Sequence, residues 1–96
     1  MIEVEKVDFN YCMIYYIKGT KTPHREDGPA MIAMSGTKEW WVNGKRHRED
    51  GPAFISIGVK EWWLNGNFFK TKEEWFEALT EEQRIKVFYS EYFIRD

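Results

Sequence analysis

A chain of ninety-six residues fits one domain, large enough for a core and small enough to be marginally stable alone. Its net charge of −2, from 14 basic and 16 acidic side chains, removes any general electrostatic pull toward nucleic acid or an anionic membrane. The single cysteine excludes an internal disulfide, and an aromatic content of 18% with five Trp makes some rings candidates for an interface as well as a core.

In chain order, Ile2, Val4 and Val7 alternate in part with Glu3, Glu5 and Lys6, which predicts an edge-like first strand. Asp8-Phe9-Asn10 turns the chain, and the apolar run Tyr11 to Ile17, which contains Cys12, predicts a strand covered on both faces. Lys18 to Pro23 is a loop, with Lys45-Arg46 as its shorter counterpart before the second copy. No apolar run approaches the ~20 residues needed to span a bilayer, and the opening Met-Ile-Glu-Val-Glu-Lys has no signal-peptide core. The expectation is a soluble cytoplasmic protein that makes no use of a membrane.

The middle of the chain is a repeat. Residues 24–44 read HREDGPAMIAMSGTKEWWVNG and residues 47–66 read HREDGPAFISIGVKEWWLNG. His24 and His47 are 23 apart, Lys38 and Lys60 only 22, so the second copy has lost a residue near Ser35. A degenerate copy lies upstream, with Tyr15-Tyr16-Ile17-Lys18-Gly19 in the register of Trp40-Trp41-Val42-Asn43-Gly44. Repetition at this period marks a supersecondary unit that buries its apolar face against its neighbours. Each unit reads as a β-hairpin: a short apolar run, a turn at Ser35-Gly36, an aromatic strand from Lys38 to Val42, then Asn-Gly. The Pro of Glu-Asp-Gly-Pro belongs at the start of a strand, because it cannot donate to a ladder.

The remaining third, residues 68–96, predicts a helical cap. Thr71 with Glu74, and Thr80 with Gln83, form two capping boxes. Trp75, Phe76 and Leu79 follow the first; Ile85, Phe88, Tyr89 and Tyr92 form an apolar stripe after the second. Helices over roughly 71–79 and 81–92 are expected to lay these residues on one sheet face. The predicted fold is α+β in a single domain over 1–96: strands and a degenerate repeat in 1–23, two hairpin repeats in 24–67, then the cap. It amounts to an antiparallel meander of about six strands with two C-terminal helices.

The WWxNG and HREDGPA blocks resemble MORN-type repeats, in the variant form found in small bacteriophage and bacterial proteins. The resemblance covers roughly residues 14–67 and implies a non-enzymatic binding module, with no catalytic residue to carry over. It further implies a phage-encoded factor that engages or inhibits a host or defence protein in the host cytoplasm.

The candidate residues are few. His24-Arg25-Glu26-Asp27 and its copy from His47 to Asp50 contain every side chain that acid–base chemistry needs. Their recurrence at hairpin spacing argues instead for structure: Arg pairing with a carboxylate, and His packing on a neighbouring Trp. No zinc-ligand spacing or phosphate-binding loop is present, so no metal or cofactor is expected. Alternation places Trp40 and Val42, like Trp62 and Leu64, on one face, and Trp41 and Trp63 on the other with Glu39 and Glu61. In the preceding strands Ala30, Ile32 and Met34 share a side, as do Ala53, Ile55 and Ile57. With the helices over the Trp40 and Trp62 face, Tyr16, Trp41 and Trp63 are expected to form an open ladder beside Arg25 and Arg48. Trp, Tyr and Arg are enriched at interface hot spots, and these five form the expected protein-binding site. The alternative is stacking of single-stranded nucleic acid on the same ladder, which the acidic balance disfavours. Edge strands leave self-association open.

Overall fold

The computed structural model describes residues 2–88. Among them the chain forms β1 (Val4–Asp8), β2 (Cys12–Ile17), β3 (Met31–Ala33), β4 (Lys38–Glu39), β5 (Trp41–Val42), β6 (Lys45–Arg46), β7 (Phe54–Ser56), β8 (Val59–Leu64) and β9 (Asn67–Phe69). Helices α1 (Lys72–Ala78) and α2 (Glu81–Phe88) follow. The fold is α+β, an antiparallel meander succeeded by two helices. Seven strands form one sheet in the order β1-β2-β3-β4-β7-β8-β9, and β5 pairs with β6 alone.

The strands outnumber the six expected because of the Asn-Gly turns. Asn43 and Gly44 have φ of 51° and 77°, Asn65 and Gly66 have 50° and 81°. Two successive left-handed residues make the tight turn that matches strand twist. The chain therefore folds straight back, so Lys45-Arg46 pairs with Trp41-Val42 and Asn67–Phe69 pairs with β8. Lys45-Arg46, which reads as a connector, and Phe68-Phe69, which read as the start of the cap, are strands. The hairpin tips differ too: β3 and β7 stop at Ala33 and Ser56, leaving Met34 and Ile57 on exposed turns instead of on a strand face. Gly36 and Gly58, with φ of 95° and 71°, turn the chain there.

Backbone bonds knit the units together in alternate directions. The His24 N–H donates back to Tyr15 O at 3.0 Å, and the next N–H, of Arg25, donates forward to Trp41 O at 3.0 Å. His47 and Arg48 repeat this with Trp40 O at 3.1 Å and Trp63 O at 3.2 Å. Each HR dipeptide is a rivet between two units, as a linear array of repeats requires.

The core sits at one end of the array. Trp62 and Leu64 of β8 pack with Trp75, Leu79 and Val87, flanked by Phe69 and Phe76. The described helices, Lys72–Ala78 and Glu81–Phe88, pack on the last hairpin through Trp75 and Val87. Thr71 caps α1, its Oγ1 accepting from Glu74 N–H at 3.1 Å, and the second capping box forms with Thr80 Oγ1 accepting from Gln83 N–H at 3.2 Å. Gln83 Oε1 returns the bond to Thr80 N–H at 2.8 Å. Loss of this reciprocal cap in Thr80→Ala is expected to lower stability by about 1 kcal/mol, read from a denaturant midpoint.

The apolar stripe of α2 is placed differently from the sequence expectation. Val87 is fully buried, while Ile85 is 61% and Phe88 52% exposed; Tyr89 and Tyr92 lie outside the described residues. Arg84 sets this rotation. Its Nε and Nη2 donate to Phe76 O at 3.1 Å and Glu77 O at 2.7 Å, satisfying carbonyls at the negative end of α1.

Candidate functional site

The HREDGP segments are two copies of one clamp. Arg25 Nε donates to Asp27 Oδ1 at 3.0 Å and Nη1 to Pro29 O at 3.2 Å; Arg48 does the same to Asp50 at 2.9 Å and Pro52 at 3.1 Å. The guanidinium folds over the turn so tightly that a Cβ on Gly28 would lie 3.0 Å from Arg25 Cζ. A side chain there would push the guanidinium aside. Each guanidinium also covers a ring, Arg25 on Tyr15 at 4.2 Å and Arg48 on Trp40 at 3.9 Å. The arginines pair with Asp, as the repeat predicted.

The histidines do not pack on Trp as their main contact. His24 Nδ1 accepts from Asn43 N–H at 2.8 Å, and Nε2 lies 3.2 Å from Glu26 Oε2. His47 makes the corresponding bonds to Asn65 at 2.9 Å and Glu49 at 3.0 Å. An imidazole accepting at Nδ1 carries its proton on Nε2, facing the carboxylate; this tautomer is inferred from the partners. The tetrad thus holds the Asn-Gly turn at the far end of its own unit, 19 residues away for His24. Between the two loops lies a cleft of about 560 Å³, lined by both arginines, Trp40, Val42 and Lys86.

The opposite face carries the ring ladder. β8 alternates as expected, with Trp62 and Leu64 buried and Trp63 half-buried on the other side. Trp41 Nε1 donates to Glu39 Oε1 at 2.9 Å and Trp63 Nε1 to Glu61 Oε1 at 3.0 Å, so each indole is locked to the residue two before it. Arg46 lies between them. Its Cζ is 4.9 Å from the Trp41 centroid, 5.3 Å from Trp63 and 5.0 Å from Phe54. Nη2 reaches Glu39 Oε1 at 2.8 Å and Nη1 reaches Glu61 Oε1 at 3.5 Å. Tyr16 continues the ladder with Lys21 Nζ 5.7 Å from its centroid, and Phe68 ends it edge-on to Trp63 at 5.3 Å.

Of the five expected site residues, Tyr16, Trp41 and Trp63 share this face, whereas Arg25 and Arg48 do not. They cover Tyr15 and Trp40, each one residue before a ladder ring and so on the reverse side of the sheet. Trp40 is covered by Arg48, whose Cζ lies 3.9 Å from the ring centroid, and Lys86 of α2 lines the same cleft. The arginine that belongs to the ladder is Arg46. Its place was readable from the tight Asn-Gly turn, which sets Trp41 opposite Arg46 across two strands.

Among the described residues no three His, Cys, Asp or Glu side chains gather to hold a metal ion, and no helix is long and apolar enough to cross a membrane. No protein-family model, curated protein or solved structure matches the chain.

Proposed function

We propose that the chain is a non-catalytic protein-binding module of MORN-type repeats that engages its partner through Tyr16, Trp41 and Trp63. The observation that carries this reading is the fixed ladder itself. Two indoles anchored by carboxylates and separated by a guanidinium lie on the sheet face that α1 and α2 leave uncovered. Rigid aromatic rings lose little entropy on binding, which suits them to an interface. The resemblance to repeats of small phage and bacterial proteins extends the proposal to a host or defence protein as partner, met in the host cytoplasm.

Stacked rings beside a guanidinium also favour a second reading, single-stranded nucleic acid. Glu39 and Glu61 stand within the ladder and repel phosphates, and Arg46 is already neutralised by both. Salt separates the two. Nucleic-acid binding through several phosphates falls steeply between about 50 and 200 mM salt, because condensed counterions are released. Protein binding on buried rings is expected to survive that change and to be lost in Trp41→Ala/Trp63→Ala, with hot-spot losses of about 2 kcal/mol or more. Capture from bacterial lysate at both salt concentrations, with melting of the variant measured alongside, checks this. Submicromolar, salt-sensitive binding to an oligonucleotide would replace this reading with the second.

A further inference from the structure

The ladder is made of equivalent cells, and one of them has Pro23 where the other has Arg46. In the central cell Trp41 faces Arg46 across the hairpin, and Arg46 O accepts the Gly66 N–H at 2.9 Å. The preceding cell has the same backbone: Tyr16 faces Pro23, and Pro23 O accepts the Gly44 N–H at 2.9 Å. Phe54, which pairs with Glu39 and Glu61, underlies the first; Met31, which pairs with Ile14 and Glu39, underlies the second. A pyrrolidine ring projects no charge where Arg46 projects a guanidinium. Glu39 stands beside both cells and uses only Oε1 for Trp41 and Arg46.

We propose that the cell between Tyr16 and Trp41 receives an arginine side chain from the partner protein, stacked on the rings and paired with Glu39. This rests on the protein-binding reading and names the chemistry it recognises. Arg46 is the internal precedent, showing what a cell with these walls holds. A planar guanidinium stacks on rings while bonding a carboxylate edge-on, which an ammonium does less well. Lys21, on an exposed loop, brings an ammonium to 5.7 Å from the Tyr16 centroid, a looser contact than the guanidinium of Arg46 makes with Trp41 at 4.9 Å. The acidic wall selects against a phosphate or carboxylate ligand.

The test is an NMR titration of the whole chain with acetyl-arginine-amide and, separately, acetyl-citrulline-amide, its neutral isostere. The arginine probe is expected to bind weakly and to shift signals of Tyr16, Met31 and the Trp41 indole, with no response to citrulline. Pro23→Arg supplies the cation within the chain and is expected to weaken the probe at least tenfold without lowering the melting temperature. No response to arginine, an equal response to citrulline, or an unchanged response in a folded Pro23→Arg would overturn the proposal. If Pro23→Arg fails to fold, the comparison of the two probes on the unaltered chain decides. A chain that captures a protein through Trp41 and Trp63 yet ignores the arginine probe refutes the cell and leaves the module standing. Probe binding without any captured protein refutes the module instead.

Discussion

Trp75→Ala is expected to destabilise the chain by about 3–5 kcal/mol, the range for truncating a large buried aromatic side chain. Trp75 is 0% exposed, its ring lies 4.7 Å from Trp62, and its Nε1 donates to Arg48 O at 3.1 Å. The substitution empties the centre of the core and leaves a repeat carbonyl without its donor. Stability totals in small domains are only about 5–15 kcal/mol, so the variant approaches the unfolding limit. Urea unfolding by circular dichroism checks this. A loss below about 1 kcal/mol would mean that the helices do not hold the last hairpin, against the usual cost of a buried Trp.

His24→Ala is expected to cost about 2 kcal/mol, because it removes a buried acceptor and strands the Asn43 N–H. His24 is 1% exposed and engaged at both ring nitrogens. The side chain of His47 is 12% exposed, and the Asn65 N–H it serves is at the surface, so His47→Ala is expected to cost about half as much. Partner binding by the folded fraction of either variant is expected to persist. Lost binding at an unchanged melting temperature would place the histidines in a site, and elemental analysis for zinc would then show whether that site holds a metal.

Much of this arrangement was legible in the chain. The Asn-Gly pairs, the capping boxes and the alternation across Trp62-Trp63 each follow from a local rule with one strong solution. What escaped depended on contacts made only once the chain has folded. Arg25 and Arg48 sit beside the ladder rings in the repeat, yet their turn bonds to Asp27 and Asp50 carry them to the reverse face. Arg46 read as a connector because a two-residue turn converts its flanks into strands only after pairing. The α2 stripe failed for a tertiary reason: Arg84, seeking the carbonyls of α1, rotates Ile85 outward and Val87 inward. The His reading missed Nδ1 because its partner is a backbone N–H far along the chain, which leaves no mark in composition.

The three ring stacks on the helix side suggest how such a chain can change length. Tyr15 lies under Arg25 and Trp40 under Arg48, while Trp62 lies under Trp75 of α1. A tryptophan from the helix stands where another repeat would place its arginine. The terminal hairpin therefore meets the cap as it would meet a further copy of itself. Unequal recombination within the duplicated HREDGPA blocks would add or delete a whole unit, shifting the helices along by one step with the junction unchanged. The number of rings on the ladder face becomes a quantity that a single genetic event can adjust, without redesign of the core.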